Sequence, residues 1–292
     1  MVLSGVGAGA QPQDRAPGAA PAVRGRLAGP GRLGQANALH DLGPVRWLTG
    51  DYQGGVQVLE QALGIYRDLG DRLGQARVAL NGLGAVRVAT GEYPAAAQDL
   101  EQALGIYRDL GYRLGQANAV TDLGMVRRLT GDYQPAAQAL EQALAIYRDL
   151  GNRSGQAGAL ATLGDVRRLT GDYPAAARAL DQALAIYRDL GYRRGQATAL
   201  NERGTLHRVS GDLAQAEGCH RQALDLARAI DTSTDEAHAL AGLGRCALAA
   251  GHATQARALL RQALEIFQRI GAGEAPDLLA ELDALTSPPP AQ

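Results

Sequence analysis

Residues 140–151 read LEQALAIYRDLG, and the same letters with one change each stand at 59–70, 100–111 and 180–191. A turn motif recurs on the same period of 40 or 41 residues, as Gly50-Asp51-Tyr52, Gly91-Glu92-Tyr93, Gly131-Asp132-Tyr133 and Gly171-Asp172-Tyr173. Self-similarity at such a period is typical of proteins that stack one supersecondary unit many times. The sequence therefore predicts a repeat protein.

Each period contains two amphipathic helical patterns. The first, over 116–130, places Leu123 and Val126 on one apolar face, and the second, over 134–150, does the same with Leu140 and Tyr147. Gly131 ends the first helix, and Asp132 is placed to cap the second. Two such helices cannot bury their apolar faces alone, so neighbouring hairpins must stack. We call the first helix of a hairpin the A helix and the second the B helix.

These motifs resemble the tetratricopeptide repeat over about residues 33–270. The resemblance rests on Leu123-Gly124, Gly131-Asp132-Tyr133 and the spaced Ala136, Leu140 and Ala143. It implies an all-α, right-handed α-α superhelix of about six helical hairpins, followed by a capping helix over 275–285. The long period is similar to that of repeats in large bacterial transcriptional regulators and signalling ATPases.

The ends of the chain differ from the repeats in composition. Residues 1–31 are rich in Gly, Ala, Pro and Arg and are predicted to be disordered, as is the tail 287–292. The superhelix is expected over 32–286. Its first helix, over 33–48, is an A helix that no B-helix pattern precedes. Either the chain is a piece of a longer protein, or something else covers this helix, including a second copy in a homo-oligomer.

Two hairpins depart from the pattern. The second has one extra residue between Gln75 and Leu83, which predicts a π-bulge near Arg77 to Leu80. In the fifth, Arg203 replaces a core leucine of the A helix and His220 replaces a leucine of the B helix. This hairpin is either a local weak point or a specialised site.

Composition excludes several classes of function. The formal net charge is −1, so no global field favours nucleic acid or a membrane surface. Every basic side chain other than histidine is arginine, which excludes a P-loop phosphate site. Cys219 and Cys246 are too few for a disulfide framework, and we expect them, with the nearby His220, to be packed in the core rather than bound to metal. We expect a cytoplasmic protein with no cofactor, no metal and no catalytic residues.

The resemblance implies that the A helices line a concave groove that holds a ligand. Matching the register residue by residue places these side chains in it: Asn37, His40, Trp47, Asn81, Asn118, Met125, Arg128, Asp165, Arg168, Asn201, Arg208 and Arg245. The arginines at 128, 168 and 208 share one register and suit carboxylates, which favours an acidic peptide. Alternatively, they form a solvated face.

A second set of arginines is expected to be structural. Arg87 and its equivalents Arg46, Arg127 and Arg167 should lie along the helix surface and pair with B-helix acids, for which the candidates are Glu60, Glu101, Glu141 and Asp181.

The function predicted is a non-enzymatic protein–protein interaction module that binds a peptide or a segment of a partner protein, with an acidic segment as the sharper version. The alternative is a ligand-sensing or oligomerisation element of a transcriptional regulator. An enzyme built on the repeats is disfavoured, because the sequence shows no cluster of titratable groups with the geometry of an active site.

Overall fold

The computed structural model of the protein describes residues 30–48 and 51–286. Of the disorder predicted over 1–31 and 287–292, residues 1–29 and 287–292 lie outside the described residues, whereas Pro30 and Gly31 are the first residues of a helix. The A helices are α1 (Pro30–Leu48), α3 (Arg72–Arg77) with its continuation through π1 (Val78–Gly84) and α4 (Ala85–Ala89), α6 (Arg113–Leu129), α8 (Arg153–Leu169), α10 (Arg193–Val209) and α12 (Ser233–Ala249). The B helices are α2 (Tyr52–Leu69), α5 (Tyr93–Asp109), α7 (Tyr133–Asp149), α9 (Tyr173–Asp189), α11 (Leu213–Ala229) and α13 (Ala253–Arg269). The last helix is α14 (Ala275–Thr286).

The chain divides within α8 into two compact units, which end and begin at Ala159 and Leu160. In the first, α1 packs on α2, the helix through π1 packs on α2 and α5, and α6 packs on α5 and α7. In the second, each helix from α9 to α13 packs on the next, and α14 packs on α13. The described residues contain no strand. The predicted all-α fold of consecutive hairpins with a C-terminal capping helix is confirmed.

The turns follow the predicted glycine chemistry. Gly131, between α6 and α7, has φ 85°, a conformation that glycine adopts without a steric cost. In the degenerate fifth hairpin, Asp231 occupies the turn that a glycine occupies elsewhere, with φ 54°. Asp172 and Asp212 cap the helices that follow them, but Asp132 accepts a hydrogen bond from Thr130 Oγ1 at 3.1 Å instead of capping α7.

Neighbouring hairpins are held together by a tyrosine that lies against a glycine. The ring of Tyr107 in α5 covers Gly115 in α6, and a Cβ atom added to that glycine would lie 2.6 Å from the ring. The same contact joins Tyr66 to Gly74, Tyr147 to Gly155 and Tyr187 to Gly195. We call these residues the B-helix tyrosines and the notch glycines. Each hairpin therefore packs on the next through a tyrosine ring, and the position that the ring contacts must be glycine because a Cβ atom there would overlap the ring.

Within a hairpin, a leucine takes the corresponding role. Leu140 of α7 packs on Gly124 of α6, and a Cβ atom at that glycine would lie 2.9 Å from Leu140 Cγ. The pair recurs as Leu100 with Gly84, Leu180 with Gly164 and Leu260 with Gly244. The glycines that recur at one register of the A helices thus allow close packing of the two helices, which offsets the low helix propensity of glycine.

The predicted π-bulge is confirmed. The π-helical segment begins at Val78 and continues to Gly84, a little beyond the predicted range. Leu80 and Leu83 remain buried, at 1% and 2% exposed. The extra residue is thus absorbed by a wider turn, and the apolar face is in register on both sides of it.

The notch can be tested by a matched pair of glycine substitutions. Gly115→Ala is expected to lower the free energy of unfolding by about 1–3 kcal/mol, because the added methyl group overlaps the buried Tyr107 ring. Gly105→Ala, on the exposed face of α5 with no atom within 4 Å of the new Cβ, is expected to raise it by up to about 1 kcal/mol. Urea denaturation measures both changes, and equal effects would show that the notch is not tightly packed.

Candidate functional site

Three arginines of the second unit are predicted groove residues, and two of them are held by carboxylates. Arg168 bonds to Asp165 on the preceding turn of α8, and Asp165 is buried. Arg245 of α12 forms a two-pronged ion pair with Glu281 of α14, with Nε and Nη2 at 3.1 and 2.8 Å from Oε2. These cations are already neutralised by neighbouring acids.

Arg208 of α10 differs from both. Its side chain is half-buried, and no ion pair of Arg208 is found among the residues that the structure describes. Its charge lowers the pKa of His220 in α11 and opposes the rise in the pKa of Cys246 in α12, so the guanidinium lies close to both helices. Among the described residues, therefore, no carboxylate neutralises the charge of Arg208.

A buried polar cluster lies at the junction of α10, α11 and α12. Asn201 Nδ2 donates to the backbone oxygen of Asp235 at 3.1 Å, and Asn201 Oδ1 lies 3.2 Å from His220 Nδ1. Thr198 Oγ1 donates to Asp235 Oδ1 at 2.9 Å, and Arg194 lies 3.6 Å from the same carboxylate. We call these residues the His220 cluster; it ties α12 to both helices of the fifth hairpin.

His220 takes the place of a core leucine. Its ring lies between Gly204 of α10 and Gly242 of α12, as the side chain of Leu59 lies between Gly43 and Gly82 in the first unit. The residue is 1% exposed, and its Nε2 has no hydrogen-bond partner within the described part of the chain. Burial lowers the pKa of His220 to about 4, with smaller contributions from Arg208, Arg245 and His238. The ring is therefore neutral at neutral pH, and Nδ1 donates to Asn201.

The asparagines predicted to line the groove have internal partners wherever their side chains are described. Asn37 and Asn118 accept hydrogen bonds from the hydroxyls of Tyr66 and Tyr147, at 2.6 and 2.7 Å. Asn201 belongs to the His220 cluster. Asn81 lies in π1, and its side chain is outside the described part of the structure. These amides therefore position helices.

The other predicted groove residues lie in the first unit. Met125 is 4% exposed because it packs against Ala85 and Val88 of the preceding A helix. His40 is also buried, and burial lowers its pKa. Arg128 is half-buried, while the side chain of Trp47 is outside the described part of α1.

The pairing predicted for the second set of arginines holds for Arg87. It bonds to Asp99 of its own B helix and lies 3.6 Å from Glu60 of the preceding one. Asp181, another predicted partner, pairs at 3.3 Å with Arg203 of the fifth hairpin. The arginine that replaces a core leucine therefore reaches out to an acid on the neighbouring B helix.

Both cysteines are free and buried, and burial raises the pKa of each thiol. Within 30–48 and 51–286, no group of three or more His, Cys, Asp or Glu side chains is placed to hold a metal ion. Over the same ranges, no helix has the length and apolar character needed to cross a membrane.

Stacked hairpins with glycine notches define a helical-repeat protein. The chain belongs to the tetratricopeptide repeat family, whose models match residues 75–149, 195–269 and 159–193. No match was found among curated protein sequences.

Several solved structures share this fold. The apo form of RapI is 16% identical with a TM-score of 0.70, over 82% of this chain and 85% of its own. A Rap protein complexed with competence and sporulation factor is 14% identical with a TM-score of 0.66, over 86% and 74%. A signal transduction ATPase with a tetratricopeptide repeat sensor, from Pyrococcus horikoshii, is 14% identical with a TM-score of 0.63, over 86% and 38%.

The buried histidine predicts pH-dependent stability. Because the pKa of His220 is about 4 in the folded chain and 6.5 when unperturbed, the unfolded chain binds more protons between these values. The contribution of the neutral His220 to the free energy of unfolding should be complete above pH 6.5. The free energy of unfolding should then fall by up to about 3 kcal/mol as the pH drops to 4. Urea denaturation across this interval measures the fall.

His220→Leu, which rebuilds the arrangement of Leu59, should make that fall smaller and leave the part due to His40 and His238, whose pKa values are also lowered by burial. An unchanged pH profile in this variant would contradict the assignment.

Proposed function

We propose that this protein is a non-enzymatic protein–protein interaction module that binds an acidic segment of a partner protein on its A helices, with Arg208 as the principal ion-pairing residue. The observation that carries the proposal is the contrast between Arg208, which has no ion pair among the described residues, and the other predicted groove arginines of the second unit, Arg168 and Arg245, which have one each.

The setting of Arg208 favours a carboxylate ligand. The guanidinium is planar and binds two oxygens at once, and its half-buried position weakens competition from water. The arginines at 168 and 245 are already engaged by Asp165 and Glu281, so Arg208 is the one of these three that is left to bind an approaching carboxylate.

The solved relatives support the proposal at the level of fold. The Rap protein described above is complexed with competence and sporulation factor, so this architecture accommodates a ligand there. A shared fold does not fix a shared ligand, and the proposal for this chain therefore rests on Arg208 itself.

The alternative, a sensing or oligomerisation element of a transcriptional regulator, stays a prediction. The observation that favours an assembly role is the exposed apolar face of α1, where Val45 is 54% exposed.

The proposal is tested by selecting peptides from a random library on the intact chain. We expect enrichment of Asp and Glu, and at least about tenfold weaker binding of a selected peptide to Arg208→Gln, because the anion then loses its unneutralised partner. Binding should also weaken with added salt, with a smaller salt dependence in Arg208→Gln.

Arg261→Gln is the matched control, since Arg261 is exposed on α13 and the same charge is removed. Equal affinities of the two variants, or a library that selects no acidic residues, would refute the proposal.

A further inference from the structure

Helix α1 carries a notch glycine that no described residue covers. Gly34 occupies the register of Gly74 and Gly115, each of which is covered by a tyrosine of the preceding B helix. Among the described residues, no atom lies within 4 Å of a Cβ atom added at Gly34. Helix α1 thus has the glycine of the contact that joins hairpins, and no tyrosine of the described residues covers it.

The apolar residues beside this notch are also uncovered. Leu42 and Val45 are 38% and 54% exposed, whereas the equivalent Leu123 and Val126 of α6 are 4% and 3% exposed. Ala38 is likewise exposed, and its equivalent in α6 is fully buried. The residues Gly34, Ala38, Leu42 and Val45 recur every three or four positions and so share one side of the helix, which we call the α1 face.

In the rest of the first unit, the equivalent face is the one that receives a B helix. Leu83 and Val86, which match Leu42 and Val45, form one buried cluster with Leu59, Leu63 and Tyr66 of α2. The α1 face therefore has the shape and the apolar composition of a surface that accepts a B helix.

The charges near this face fit the same occupant. Arg87 of the second A helix approaches Glu60 of the preceding B helix while it also bonds to Asp99. Arg46 occupies the matching position in α1 and bonds to Asp51 at 3.1 Å. An acid at the position of Glu60 in an incoming helix would join Arg46 as Glu60 joins Arg87.

We infer that the α1 face is a docking surface for an amphipathic helix of the B type from a partner protein. Such a helix has a stripe of Ala and Leu to cover Ala38, Leu42 and Val45, a glutamate that faces Arg46, and a tyrosine that fills the notch at Gly34. The α1 face belongs to the first unit and Arg208 to the second, and the two differ in chemistry, because the α1 face selects a helix by an apolar stripe and one aromatic ring.

The probe for this surface is a fluorescein-labelled peptide with the sequence of residues 133–150, which carries the B-type pattern with Glu141 and Tyr147. Its binding to the full chain is measured by fluorescence anisotropy. We expect saturable binding, at least about tenfold weaker for Gly34→Leu and for Leu42→Glu. A peptide with the substitution Tyr147→Ala should weaken binding to the wild-type chain by a similar factor.

Gly64→Leu is the matched control, because Gly64 is an exposed helix glycine of α2 that also has no atom within 4 Å of an added Cβ. The residues changed on α1 are exposed, so circular dichroism and the melting temperature should show that every variant folds. No binding to the wild-type chain, or equal binding by Gly34→Leu and Gly64→Leu, overturns the inference. Sedimentation that shows a dimer dissociated by Leu42→Glu also overturns it, since a second copy then covers the face.

Discussion

The contact between a B-helix tyrosine and a notch glycine is the constraint on which this structure depends. An aromatic ring buries a large apolar area, and a glycine lets that ring reach the helix backbone, so the pair sets both the distance and the register between hairpins. The hydroxyl of Tyr147 adds a hydrogen bond to Asn118 of its own hairpin. One side chain thus links the two helices of its hairpin to the next hairpin, and repetition of this link builds the fold.

The fifth hairpin shows the effect of replacing the repeated apolar contacts. With Arg203 and His220 at two positions that elsewhere hold leucine, the hairpin loses apolar burial and gains hydrogen bonds to α12 through Asn201 and Asp235. Buried polar networks are directional and stabilise a unique arrangement only when their members are satisfied. In the described part of the chain, two atoms of this network, His220 Nε2 and Asp235 Oδ2, have no hydrogen-bond partner. The hairpin that gives up this apolar packing also carries Arg208, whose charge acts on His220.

Much of the fold could be predicted from the sequence, because a repeat can be recognised from the order of residues along the chain. The period predicted the hairpins, the glycines predicted the turns, and a single extra residue located π1.

The partners of the surface arginines could be predicted only in part. The spacing of Asp165 and Arg168 is a helical i, i+3 pair and was a usable signal. The pairing of Arg245 with Glu281 was not predictable, because α14 lies outside the repeat and its packing angle decides which acid reaches α12. The His220 cluster likewise needs three helices to converge, which no spacing rule encodes.

The wider turn of π1 has a consequence for how such arrays change over time. An insertion in a β-strand would move every later side chain of that strand to the other face of its sheet. Here the added residue changes one A helix and leaves the later hairpins in the same register. Arrays made by copying a segment can therefore tolerate small copying errors, since each error is confined to the hairpin that carries it. Near-identical hairpins can then diverge one at a time, and a distinct surface can evolve on one of them while the others preserve the framework.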